Sequence, residues 1–233
     1  MSLVVAIQVT NNDVVVAADR RATFGDPRGL VALDEGVCKI IPFGEGAALG
    51  IVGMPAAVYE PIKNVLPVAE KAPINDRLHL LHDALKQHYN KHFGIRPFVS
   101  QAPVQDSRPQ VEVTYVDRRP NGTGIYTLPS GLNFTPMPMG RPYALSGVAN
   151  YALYLYQRLW RPNLTADQAA ELAALLITET GKLDPKVGTE PDILILEPSA
   201  TRRFENGQIE RIIKANDARM SRLARSFNGG KKP

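Results

Sequence analysis

The chain has 233 residues, 44% hydrophobic and 21% charged, with a net charge of +4 and one cysteine, proportions of a folded domain that exclude a disordered segment and a disulfide scaffold. The basic excess is scattered (Arg20 and Arg21, Arg118 and Arg119, Arg202 and Arg203), and no basic run interleaved with aromatics marks a nucleic-acid groove. The longest apolar runs, at 3–7 and 193–196, fall far short of the roughly 18 residues that cross a bilayer, so with its lone Cys38 the chain reads as cytoplasmic, without membrane contact.

Residues 3–10 and 13–19 are β-branched runs separated by Asn11 and Asn12, which accept the positive φ of a tight turn, so the chain opens with a hairpin. Strands are expected at 31–41 and 47–52. Helical spacing then sets in at Val58, Ile62, Val65 and Leu66, and again at Leu78, Leu81 and Leu85 with Asn75 as N-cap. A polar, proline-rich loop spans 96–109, followed by strands at 111–117 and 124–128 around the turn Pro120-Asn121-Gly122, and another at 142–145. Helices are expected at 149–160 and 165–181, the latter opening on the capping box Thr165-x-x-Gln168 and closing on a C-cap glycine. After a strand at 192–197 a last hairpin turns at Asn206-Gly207, and a helix at 209–227 precedes a polar tail. This order predicts an α+β fold of two antiparallel sheets with helices outside them. Residues 1–208 form the domain, and 209–233 form a C-terminal helix and flexible tail.

The run Val14-Val15-Val16-Ala17-Ala18-Asp19-Arg20-Arg21-Ala22-Thr23, followed by Gly36-Val37-Cys38-Lys39-Ile40 and Gly50-Ile51-Val52-Gly53, resembles the N-terminal half of proteasome β-subunits. These belong to the N-terminal-nucleophile hydrolases, and the likeness is to a bacterial, proteasome-like form. The resemblance implies a four-layer αββα sandwich with helices on both outer faces. It places the family's acidic residue on Asp19, its lysine on Lys39, its oxyanion-hole glycine on Gly50 and its distal aspartate on Asp184. Thr23 falls on a residue that pairs with substrate backbone. Ala22, Val37, Ala48 and Val52 fall on the primary pocket, which would be apolar, lined by small residues, and suited to a bulky hydrophobic side chain. The nucleophile falls on Ser2, where the family has threonine, and removal of Met1 would expose the amine.

The chemistry of such a set is coherent in its own right. A hydroxyl needs an adjacent base to become a nucleophile, and an α-amino group with a pKa of about 7.7–8.0 supplies one. A lysine beside the hydroxyl lowers the nucleophile's pKa, and carboxylates orient that lysine. A backbone N–H then holds the developing oxyanion. Two hydroxyls that the family places around the amine are replaced by Val148 and Val187. The resemblance therefore implies an endopeptidase cleaving unfolded polypeptides, assembled with copies of itself in stacked rings, with an ATP-driven unfoldase as partner and no cofactor. The alternatives on the same fold are a catalytically inactive cage subunit and a non-proteolytic amidohydrolase.

Other features carry less. His79, His82, His88 and His92 have helical spacing, but no cysteine or paired carboxylate completes a metal site, so none is expected. Cys38 reads as a buried structural thiol facing away from Lys39. Tyr151, Tyr154, Tyr156 and Trp160 read as helix packing, and no Gly-x-Ser-x-Gly elbow occurs.

Overall fold

The computed structural model describes residues 2–9, 13–25, 31–94, 108–119, 122–198 and 200–227. Met1, the turn residues Asn11, Asn12, Pro120 and Asn121, most of the expected loop at 96–109 and the tail from 228 lie outside the described residues.

Strands β1 (Leu3–Gln8) and β2 (Val14–Asp19) pair antiparallel, Val4 opposite Ala18 and Gln8 opposite Val14. Only Gln8 in the pair escapes full burial. Both faces are covered, which explains why these strands read as continuous apolar runs and not as alternating ones. Leu3, Val5, Ile7, Val15 and Ala17 face helices, whereas Val4, Ala6, Val14, Val16 and Ala18 face a second sheet.

The first sheet has the order β10-β1-β2-β11-β12, with β10 (Tyr143–Gly147), β11 (Pro191–Leu196) and β12 (Thr201–Arg203). The second runs β5-β6-β7-β8-β9, with β5 (Ile40–Pro42), β6 (Ala47–Gly53), β7 (Val111–Arg119), β8 (Gly122–Pro129) and β9 (Met137–Pro138). Strands β3 (Ala22–Gly25) and β4 (Val31–Asp34) form a separate ribbon. Helices α1 (Ala56–Ala69) and α2 (Ile74–Phe93) cover the second sheet, where Ile62, Leu81 and Leu85 join Leu49, Ile51 and Val113. Helices α3 (Asn150–Leu159), α4 (Ala166–Leu183) and α5 (Asn206–Phe227) cover the first through residues such as Ala152, Leu176 and Ile209. The layers are helix, sheet, sheet, helix: the expected αββα sandwich. No helix among the described residues is long and apolar enough to cross a membrane.

Several local expectations are corrected. The strand expected at 31–41 divides into β4 and β5, because the Asp34 carboxylate accepts the Gly36 N–H at 2.9 Å and turns the chain from the ribbon to the second sheet. Pro73, not Asn75, precedes α2, its backbone still extended. Helix α4 opens on the expected capping box, with Gln168 N–H donating to Thr165 Oγ1 at 3.2 Å and Thr165 N–H to Gln168 Oε1 at 3.0 Å. It continues past Gly181 to Leu183. Gly181 serves close approach and not a C-cap, since a Cβ there would lie 2.7 Å from the Gly188 carbonyl oxygen. The last hairpin turns earlier than expected, where Glu197 N–H donates to Ala200 O at 2.9 Å. Asn206 instead begins α5, with Gln208 Oε1 accepting the Glu205 N–H at 2.9 Å. Cys38 is exposed, because it lies on the irregular crossing between ribbon and sheet, where strand alternation has no hold.

Candidate active site

Antiparallel pairing of β1 with β2 sets the end of β2 beside the start of β1, and Asp19 occupies that end. Its carboxylate is fully buried. Oδ1 accepts the Leu3 N–H at 2.8 Å, while Oδ2 accepts Lys39 Nζ at 2.8 Å, Gly188 N–H at 3.0 Å and Arg21 N–H at 3.1 Å. Lys39, at the entry to β5, has a side chain only 3% exposed, and its Nζ also donates to the Arg21 carbonyl. Burial pulls the Lys39 amine below the usual lysine range, and the Asp19 carboxylate works against that pull. The result is a buried ion pair whose carboxylate also holds the Leu3 N–H, one residue from Ser2.

Ser2 is itself buried, and its carbonyl accepts the Val148 N–H at 3.0 Å. Gly147, opposite Leu3 in the β1–β10 ladder, has φ +90, and a Cβ there would fall 1.9 Å from the Ser2 carbonyl oxygen and 2.9 Å from Val52. Only glycine permits this approach, so β10 presses the start of β1 against the end of β6. Beneath it, Thr114 Oγ1 and Ser146 Oγ lie 2.8 Å apart and buried, joining the two sheets opposite Gly50 and Val4.

Arg21 ties a second segment to this corner. Its guanidinium donates to Glu35 at 2.7 Å and to the carbonyls of Pro185 at 3.0 Å and Val187 at 3.3 Å, drawing the α4–β11 loop onto Asp19. Asp184 heads that loop, but its Oδ1 accepts the Lys186 N–H at 2.8 Å. Among the described residues no hydrogen bond joins Asp184 to Asp19 or Lys39. The loop reaches the site through Gly188, which the sequence reading missed; its signal was a glycine shortly after an Asp-Pro helix stop.

The register of β6 also places the glycine expected at the oxyanion hole. Ile51 N–H donates to Lys39 O at 3.0 Å, so Ile51 points its backbone polar groups towards β5. Alternation along β6 turns those of Gly50 towards β7, where Gly50 faces Thr114 inside the ladder. Gly53, three residues on, ends β6 opposite Val111. Gly53 has φ +96, and a Cβ on it would fall 2.0 Å from the Gln110 carbonyl oxygen.

Of the residues expected to line the primary pocket, Ala48 and Val52 belong to the core between the sheets with Val4 and Ile40. Ala22 lies opposite Asp34 and Thr23 opposite Leu33 in the ribbon. Val37 donates its N–H to Arg20 O at 3.0 Å. Among the described residues β3 pairs only with β4, and its other edge begins three residues after Asp19.

No family model and no curated protein matches the sequence. The fold matches solved structures of Anbu. Anbu from Hyphomicrobium sp. strain MC1 is 17% identical with a TM-score of 0.71, over 99% of each chain. A Gly-1 mutant of Anbu from the same strain is 16% identical with a TM-score of 0.71, over 100% of this chain and 99% of the other. Anbu (ancestral β-subunit) from Yersinia bercovieri is 14% identical with a TM-score of 0.73, over 99% and 98%. At these identities the likeness is one of fold. It corrects the family expected from the sequence: the neighbours are Anbu proteins, proteasome-like but distinct, and nothing supports assignment to the proteasome β-subunits themselves. The motif around Asp19 and Lys39 reports the sandwich and its buried corner, and does not discriminate between families that share both.

Proposed function

We propose, from a fold shared with Anbu, that this chain is an N-terminal-nucleophile amide hydrolase that attacks through the Ser2 hydroxyl. The carrying observation is the buried Asp19 carboxylate, which joins the Leu3 N–H to Lys39 Nζ at 2.8 Å each. A buried ion pair anchored to the Leu3 N–H serves an N-terminal hydroxyl and amine better than it serves stability, since burying such a pair brings little net stabilisation.

In this reading removal of Met1 frees the Ser2 amine, which takes the hydroxyl proton as Oγ attacks the amide carbonyl carbon. A backbone N–H receives the negative charge on the carbonyl oxygen, a contribution of about 3–4 kcal/mol for one such donor. The amine returns the proton to the leaving nitrogen, and water then hydrolyses the Ser2 ester. Lys39 supplies positive charge, and Asp19 fixes its position. The edge of β3 away from β4 suits an extended polypeptide that adds as a strand, with Thr23 among its backbone partners. Asp184 holds the loop that carries Gly188, and in this reading copies of the chain assemble into a ring-like enclosure.

A specific observation favours a second reading, a non-catalytic cage. Val148 and the fully buried Val187 offer no hydroxyl to order the amine and its water. Fluorogenic peptides with a bulky hydrophobic residue before the scissile bond separate the two, read alongside N-terminal mass spectrometry. Hydrolysis by protein lacking Met1, reduced to buffer level by Ser2→Ala, supports the catalytic reading. Activity that survives Ser2→Ala, or full activity in protein that retains Met1, overturns it.

A further inference from the structure

We infer that His79, His82 and Asp83 of α2 form a zinc-binding site, remote in sequence from the Ser2 corner and independent of it. Spacings of three and four residues place these side chains over one helical turn. Among the described residues they are the one group of three histidine, cysteine or acidic side chains whose ligand atoms converge, all within 4.8 Å of one another. His79 Nε2 lies 3.3 Å from Asp83 Oδ2, and His82 Nδ1 lies 3.3 Å from Asp83 Oδ1.

Those separations are compatible with a shared cation. Donor atoms bonded to one tetrahedral zinc at about 2.0–2.1 Å stand about 3.3–3.4 Å from each other. A well-formed N–H···O hydrogen bond is shorter, about 2.9 Å. Each imidazole nitrogen faces its own oxygen of Asp83 at 3.3 Å, a spacing that two donors on one small cation share with a direct ion pair. Two imidazoles with one carboxylate select zinc or a neighbouring transition ion over magnesium and calcium, which prefer all-oxygen shells. The carboxylate that the sequence appeared to lack is supplied by the residue directly after His82.

The backbone under the site is rigid. Arg77, Leu81, Leu85 and Tyr89 are buried on the other face of α2, so the three ligands sit on a docked helix. Their side chains are 77%, 18% and 46% exposed in the order His79, His82, Asp83, which leaves the fourth coordination position open to water or to a further ligand. Farther along α2 the rings of His88 and His92 lie tilted at 37° with 4.3 Å between centroids, without a converging carboxylate among the described residues, and serve as a built-in control.

The test is isothermal titration of zinc chloride into the full-length protein after chelator treatment, in a buffer that does not bind zinc. One saturable site per chain is expected. His79→Ala and Asp83→Asn should each weaken it by more than about tenfold, the lower end of what even an outer partner's loss costs, while His92→Ala and Ser2→Ala leave it unchanged. His79 is exposed and alanine favours helix, so the variants should keep the wild-type far-UV circular dichroism. Absence of saturable binding, undiminished binding in His79→Ala or Asp83→Asn, or equal loss in His92→Ala overturns the assignment. Because Ser2→Ala is among the titrated proteins, failure of the hydrolase reading leaves this result intact.

Discussion

Replacing Asp19 with asparagine tests the buried corner directly. The carboxylate is fully buried and accepts from four donors, Leu3 N–H on one oxygen and Lys39, Gly188 and Arg21 on the other. An asparagine can offer its carbonyl oxygen to one side only. With oxygen towards Lys39, its NH2 group opposes the Leu3 N–H across a former 2.8 Å contact; with the amide flipped, it opposes three donors. A stranded buried donor costs about 1–3 kcal/mol, and breaking a buried ion pair from one side costs about 3–5 kcal/mol. These overlap, so we expect about 4 kcal/mol, or a fall in Tm of about 8–16 °C for a chain of this size. Lys39→Met should cost less, about 2 kcal/mol, since Asp19 keeps three backbone donors. The double variant should be less destabilised than the sum, with a coupling of about 2 kcal/mol. Thermal unfolding at one fixed protein concentration measures all four proteins, because any self-association would make Tm concentration-dependent. The reasoning is refuted if Asp19→Asn costs under about 1 kcal/mol, or if the two changes add within about 0.5 kcal/mol.

Burial lowers the pKa of Lys39 in the folded chain, so between that lowered value and about 10.4 the unfolded chain binds more protons and stability rises with pH. Wild type should therefore gain on Lys39→Met as pH is raised from neutral towards 10; a gap that narrows with rising pH would contradict the buried placement. Gly147→Ala puts a methyl group within 1.9 Å of the Ser2 carbonyl oxygen at a φ of +90. Strain at such a position costs about 1–3 kcal/mol, and peptide hydrolysis should fall with stability; a variant of wild-type Tm and activity would show that β10 does not press on β1. Thr165→Ala removes one half of the α4 capping box and should cost about 1 kcal/mol in urea unfolding with hydrolysis unchanged, whereas an effect on activity but not stability would argue against a local cap.

Much of the layering is legible in the residues themselves. The unbroken apolar runs of β1 and β2 announce strands covered on both faces, and the capping box at Thr165 and Gln168 is a local hydrogen-bond pattern that needs no distant partner. Asp19 and Lys39 could be singled out only through the resemblance to proteasome β-subunits, and the fold brings them together at 2.8 Å. Other features depend on pairing and approach between distant segments. Gly181 reads as a helix stop until Gly188 is seen against it. Cys38 reads as buried until the ribbon and second sheet divide around it. Gly50 reads as the oxyanion donor until the register of β7 against β6 sets it opposite Thr114 inside the ladder. The sequence by itself determined which segments must be buried and which groups must find partners, because hydrophobicity and charge are properties of single residues. Tertiary structure alone decided that Asp19 meets Lys39 and which loop closes on Asp19, because hydrogen-bond partners exist only once segments distant in sequence have come together.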